Sequence, residues 1–487
     1  MAKIKWSIAW GLFITSVFLV FLFIRLDLFS NNSISVVALP KTTVDRPPET
    51  WMNIYQKGNK IGVSHRTFSN TDSIVHISET VFLRIDTAGV TQALNIFTQS
   101  DLNPDMTLSS FNFDLNSSLF HFNAHGQVVK NKLILFTGTP GSQSKSEIAL
   151  KDIPRLSGSI YDAAFHAGLE KDMIRSFTIF DPSTLTNTSI KVTRNSDEII
   201  PIMGKRILTQ KYCADFMGAK NCAWIDKTGE VVKETGILGL SIEKVSEDKA
   251  KEGISTQNSI DFTQIASIPS NREITEPDKI TEIKIKIGGI NNLPIHIIGG
   301  RQTFRQNILT ITKEKLSDAP LGKIDIPKEI STYLKPSPLI QSDHPEIKAQ
   351  VQKIILPTDS PQEKVKKIVN WVYSNIEKKP VLSVPNALEV LKNKVGDCNE
   401  HAVLTAALLR AAGIPAQIET GLVYLHGRFY YHAWNVAYVG KWITTDAVFN
   451  QIPTDVTHIR LVRGEGSEQL DLLGLMGKIK LEVIFEK

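Results

Sequence analysis

The sequence predicts an α+β chain: a β-rich antiparallel region, then a C-terminal domain whose helices pack on an antiparallel sheet, with a transmembrane helix at the N-terminus. Three observations predict this. From Trp51 apolar and polar residues alternate in short runs broken by turn signals, from about residue 342 the apolar period becomes helical, and Ser7 to Ile24 contains no charged residue. At 487 residues the chain is too long for one ordinary core. The boundaries expected are an anchor over 1–28, a linker over 29–48, a β-rich domain over 49–250, a small β-rich module over 251–335 and a helical and sheet domain over 336–487.

Composition narrows the function classes. With 42% hydrophobic and 22% charged residues the chain is globular in chemistry, not disordered. A net charge of +5 spread among nearly as many acids as bases forms no basic stripe, so no nucleic acid partner is expected. The 18-residue uncharged run would span roughly 27 Å as a helix, close to a ~30 Å hydrocarbon core. No small-residue cleavage site follows it closely, which favours a retained anchor over a signal peptide. Lys3 and Lys5 before the run favour an N-terminus in the cytoplasm and the bulk of the chain outside it.

Pro47-Pro48 closes a polar linker, and the β pattern begins just after it. Ser110 to Leu115 and Ile190 to Val192 alternate, and Lys57-Gly58-Asn59, His125-Gly126 and Lys227-Thr228-Gly229 supply turns. A helix within Ser159 to Lys171 is expected. A hairpin turning at Met217-Gly218 would set Cys213 opposite Cys222, as a disulfide or as two half-buried thiols. Glu282 to Ile287 alternates as a strand of the small module. The β regions read as scaffold, with a lipid- or peptide-binding groove as the alternative.

The helices that follow share one device at their starts. Ser360-Pro361-Gln362-Glu363 is a capping box with proline at the first helical position, and Val365, Ile368, Val369 and Val372 follow on one face. Asn386 with Glu389, and Asp397 with Glu400, repeat the cap and the acid three residues on. Gly413 and Pro415 end the third helix, and strands follow over Ala416 to Val423, Arg428 to Val439 and Trp442 to Asp446.

The last cap places Cys398, the cysteine left over from the 213 and 222 pair, at the first helical position, where free backbone amides stabilise a thiolate and can receive an oxyanion. His432 is the candidate base on its strand, and Asp446 the group that orients it, with Asn435 as substitute. Hairpin register decides between them. A two-residue turn at Gly440-Lys441 sets Asp446 on the face away from His432; a three-residue turn over 439–441 sets it on the same face, and the longer turn is expected. Cys398, His401, His426 and His432 lack the spacing of a zinc site, so no metal and no cofactor are expected, and His458 and His65 read as ordinary histidines.

These residues resemble the transglutaminase-like superfamily, which shares a papain-like cysteine-catalysis fold. The resemblance rests on Asn386 to Leu391, Gly396-Asp397-Cys398-Asn399-Glu400-His401-Ala402, Leu409 to Ala416, His432-Ala433-Trp434-Asn435 and Trp442 to Asp446. It implies that Cys398 is the nucleophile, His432 the base and Asp446 the third member. Ala447 stands where many relatives have proline. The β-rich part is similar, through Gly58 to Gly62 and Trp224 to Glu230, to the extracytoplasmic region of some membrane-anchored bacterial relatives. The expected function is a thiol enzyme acting on a protein or peptide substrate, with hydrolysis favoured over crosslinking. The alternative is a silent envelope adaptor.

Overall fold

A computed structural model describes residues 46–487 apart from 72, 88, 119, 139–142, 217–218, 237–238, 255–266, 290–295, 317–324, 382, 466–471 and 473–474. The expected N-terminal anchor lies outside the described residues. Among the described residues no helix is long and apolar enough to cross a membrane.

The β-rich region is one 16-stranded sheet, antiparallel except where Arg155–Leu156 runs parallel to Ile174–Asp181. Its first eight strands form a meander from Glu49–Gln56 out to Ser144–Ala149, and the first strand also pairs with Leu240–Val245. The chain therefore runs from the middle of the sheet out to one edge, restarts at the other edge and returns inward to the first strand. Ser144–Ala149 and Arg155–Leu156 end up at its opposite edges, joined by five residues. So short a link spans at most about 20 Å, so the sheet must curl until its edges approach. One apolar core confirms the curl, since Phe111 from one side packs on Phe180 from the other with ring centroids 5.2 Å apart. Alternate residues fill that core, as in Leu108–Ser117, where Leu108, Phe111, Phe113 and Leu115 are buried.

Two local expectations meet the structure differently. The helix within 159–171 is short, Ile160–His166. At the start of the described residues Arg46 lies 2.6 Å from Asp162 and over the Phe68 ring, and the expected linker before it lies outside them. Cys213 and Cys222 are opposed across their hairpin and joined as a disulfide.

The 251–335 stretch does not stand as a module by its strand pairing. Ser267–Pro269 pairs with Arg428–Tyr438, and Glu282–Gly288 pairs with the C-terminal strand Lys480–Glu486. Its inward residues Ile283, Ile285, Leu309 and Ile311 share a core with Leu422, Phe429, Ile459 and Leu461. Alternation reveals a half-buried strand but not its partner, which here lies about two hundred residues downstream.

The C-terminal sheet carries the histidine strand Arg428–Tyr438 at its centre, flanked by Ala416–Leu425 on one side and by Ser267–Pro269 and Trp442–Thr445 on the other. Helices Pro345–Ile354, Pro361–Asn375, Ala387–Asn393 and the cysteine helix Cys398–Ala411 pack on it through Val365, Ile368, Val372, Leu404, Leu408, Ile418 and Ala437. The cysteine helix is almost wholly buried, which is why its apolar residues surround the axis instead of forming one stripe.

Candidate active site

The cysteine helix starts where its cap places it. Asp397 accepts the Asn399 amide at 2.9 Å, Glu400 accepts the Asp397 amide at 2.9 Å, and the box also engages the Glu400 amide. The first-turn amide not used by the cap is that of Cys398 itself. The helix ends in a Schellman motif, with the Gly413 amide on the Arg410 carbonyl and the Ile414 amide on that of Leu409.

The hairpin after the histidine strand turns on three residues. Tyr438 pairs with Trp442 and Asn435 with Thr445, and Gly440 takes φ +89°. That register puts Asp446 on the His432 side, and His432 Nε2 lies 2.6 Å from Asp446 Oδ2. Asn435 points elsewhere: its Nδ2 donates to the Ala402 carbonyl at 2.9 Å, stitching the strand to the cysteine helix. Cys398 is half-buried, and its sulfur receives the backbone N–H of Ala433, the neighbour of His432. The structure thus brings Cys398, His432 and Asp446 into one place.

The electrostatics of the thiol differ from the expectation. Burial, and then the carboxyl of Asp397, push the Cys398 thiol up, against the pull of the Ala433 amide. Burial and the adjoining Glu400 also push the Asp397 carboxyl up, so Asp397 sheds its proton reluctantly and repels a thiolate less than an ionised acid would. The helix start alone therefore does not supply a thiolate. A base has to remove the proton.

Burial would raise Asp446 as well, but His432 and then His458 hold its carboxyl far below the usual range. As a carboxylate it only accepts, so His432 donates to it through Nε2–H. Asp446 Oδ1 accepts the amides of Val448 and Phe449, which locks the carboxylate in place. His432 lies between aromatic faces, with Trp434 stacked at 6.0 Å and Phe449 at 5.3 Å between ring centroids. Trp434 is itself fixed by Glu419, which two arginines, Arg460 and Arg463, hold ionised against the effect of burial.

One member of this site reads as an ordinary histidine in the sequence. His458 is fully buried, with Nε2 3.0 Å from Asp446 Oδ2 and Nδ1 3.2 Å from Asp455 Oδ1. The available signal is the run Asp455-Val456-Thr457-His458, in which Asp455 accepts the Thr457 amide in a tight turn. His432, Asp446 and His458 offer ligating atoms within 4.8 Å of one another, so among the described residues they are the donor set a cation could use. Both Asp446 oxygens already accept hydrogen bonds from protein groups, which favours protons there. His426 sits apart at the Leu425–Arg428 turn, while His401 donates Nδ1 to the Asp397 carbonyl at 2.6 Å and keeps Nε2 buried without a partner. His65 stacks on Trp51 in the large sheet.

The transglutaminase-like superfamily model matches residues 348–447. No curated protein matches in sequence. Solved structures with partial likeness include a cysteine-protease candidate from Cytophaga hutchinsonii, 18% identical over 43% of this chain and 87% of that one, TM-score 0.27. A β-barrel-like protein of unknown function from Brucella abortus is 11% identical over 41% of this chain and 95% of that one, TM-score 0.32. A protease candidate from Parabacteroides distasonis is 13% identical over 69% and 68% respectively, TM-score 0.20. Likeness at these scores bears on neither activity nor substrate. The family match and the grouped cysteine, histidine and aspartate fall on the same stretch: residues 348–447 carry a transglutaminase-like domain.

Proposed function

We propose that the protein is a thiol enzyme acting on peptide or carboxamide bonds through Cys398, with hydrolysis favoured over transfer to an amine. The observation that carries this reading is the His432–Asp446 pair, 2.6 Å apart, beside the one cysteine free among the described residues. In the first step His432 Nδ1 takes the Cys398 proton as sulfur attacks the carbonyl carbon. The Cys398 amide donates to the oxyanion, and the imidazolium, steadied by Asp446, returns the proton to the departing amine. Water then attacks the thioester with His432 as base, releasing the acid and the thiol. The reading extends to an anchor over residues 7–24 and an extracytoplasmic position, supported by the 213–222 disulfide, a bond that persists in oxidising compartments. Substrate trapping tests the chemistry: acyl adducts on Cys398 in the wild type, absent from Cys398→Ala, are expected. Full complementation by Cys398→Ala with no adduct in the wild type would leave the silent adaptor as the function.

A further inference from the structure

We propose that His458 is a positioning residue for this site, a permanent imidazolium clamped between Asp446 and Asp455 that fixes the aim and the charge of the carboxylate holding His432. The proposal rests on the thiol chemistry above and deepens it. The geometry is direct. Each ring nitrogen of His458 faces a carboxylate oxygen, at 3.0 Å on Asp446 and 3.2 Å on Asp455. A neutral imidazole has one donor and one acceptor, so it would set a lone pair against one carboxylate; only the doubly protonated ring satisfies both. The side chain is wholly buried, away from the bulk solvent that would soften that conflict. Burial opposes the charge, yet the two carboxylates hold the His458 proton above the ordinary range, and both acids are held below theirs.

The surroundings add little to counter this. Around the His458 ring lie His432, Trp434 and Phe449, with centroids 5.8, 5.2 and 6.0 Å away. Arg301 approaches from the neighbouring sheet but donates to the backbone carbonyls of Thr454, Asp455 and His458. Lys378, His401 and Cys398 feel the charge of Asp446 from further off.

The consequence concerns His432. Its Nε2 and that of His458 share a single oxygen, Asp446 Oδ2. A fixed cation on that oxygen holds it in place and offsets part of its charge, so His458 sets the aim of Asp446 toward His432 and the strength of its pull.

The test uses the full chain and the pH profile of Cys398 alkylation by iodoacetamide. In wild type the rate should rise with pH through a midpoint. In His458→Gln, which keeps one N–H for Asp446 but no charge, that midpoint should move up by about one pH unit or more. A Gln variant with lowered Tm but an unmoved midpoint makes His458 a packing residue and overturns the proposal. Histidine ¹⁵N NMR of the wild type, assigned by the resonance lost in His458→Gln, needs no active variant. Both ring nitrogens should stay protonated from pH 5 to about pH 8, and a neutral tautomer at pH 7 also overturns it. A wild-type alkylation profile identical to that of His432→Ala defeats the thiol reading and the positioning role together; the NMR signature of the charged ring persists in that case and tells the two failures apart.

Discussion

Gly396 lies so close to Glu400 that a Cβ built on it would fall 2.2 Å from the Glu400 Cβ and 2.6 Å from its Cγ. Glu400 has to fold back over this position to accept the Asp397 amide, and that bond completes the box holding Cys398 at the helix start. The glycine two residues before the cysteine is there for space, since no side chain fits between the strand and the returning carboxylate.

Gly396→Ala should therefore displace Glu400 and open the cap. A lost cap together with overpacking costs about 1–3 kcal/mol. Thermal unfolding should show a lower Tm, and Cys398 acylation should fall with it. An alanine variant of wild-type stability would show that Glu400 can re-cap from another rotamer.

His432→Ala should expose the true tendency of the thiol. Burial and Asp397 push Cys398 up from an ordinary value of 9.0, so without its base the sulfur stays protonated through neutral pH. Alkylation at pH 7 should drop to roughly a tenth of wild type or less, and the rate should climb only above about pH 9. Equal rates at pH 7 in the two proteins would mean that the helix start alone makes the thiolate.

How much of this was legible in the sequence follows from the range of each interaction. The boxes at Ser360 and Asp397 span four residues, so spacing alone reveals them, and both are formed. The three-residue turn around Gly440 is legible because only that register sets Asp446 beside His432. The clamp on His458 is hidden, because its partners Asp446 and Asp455 become a pair of acceptors only once the chain has turned back after Asn450. The curl of the large sheet is hidden for the same kind of reason, since Trp51 pairs with Val245. The rise of the Cys398 thiol depends on how deeply the helix start is packed, and a cap motif carries no information about depth.

A second pH effect should come from the large sheet. Glu234 is pushed up to about 7, by burial first and then by the Glu79 carboxylate, with Arg66 only partly offsetting them. A carboxyl raised in the folded state binds its proton more tightly there than in the unfolded chain. Its contribution is fully present below the unfolded value of 4.5 and is lost as pH rises through about 7. Glu234→Gln, which stays neutral, should match wild type in Tm near pH 4 and exceed it at pH 8. A constant difference between the two pH values would show that Glu234 is solvated in solution.

The disulfide should matter to the scaffold and not to the thiol chemistry. Cys213 and Cys222 lie in a small core with Ile202, Trp224 and Val232, while Cys398 packs against the separate core of the helices. Closing a loop across nine residues is worth about 2.5 kcal/mol in the chain-entropy account. A Cys213→Ala, Cys222→Ala double variant should lose Tm, and dithiothreitol should bring wild type down to the same value. Its Cys398 alkylation rate at pH 7 should equal that of wild type, because among the described residues the two places belong to separate cores. A slower rate in the double variant would reveal a coupling between the sheet and the cysteine helix that their packing does not suggest.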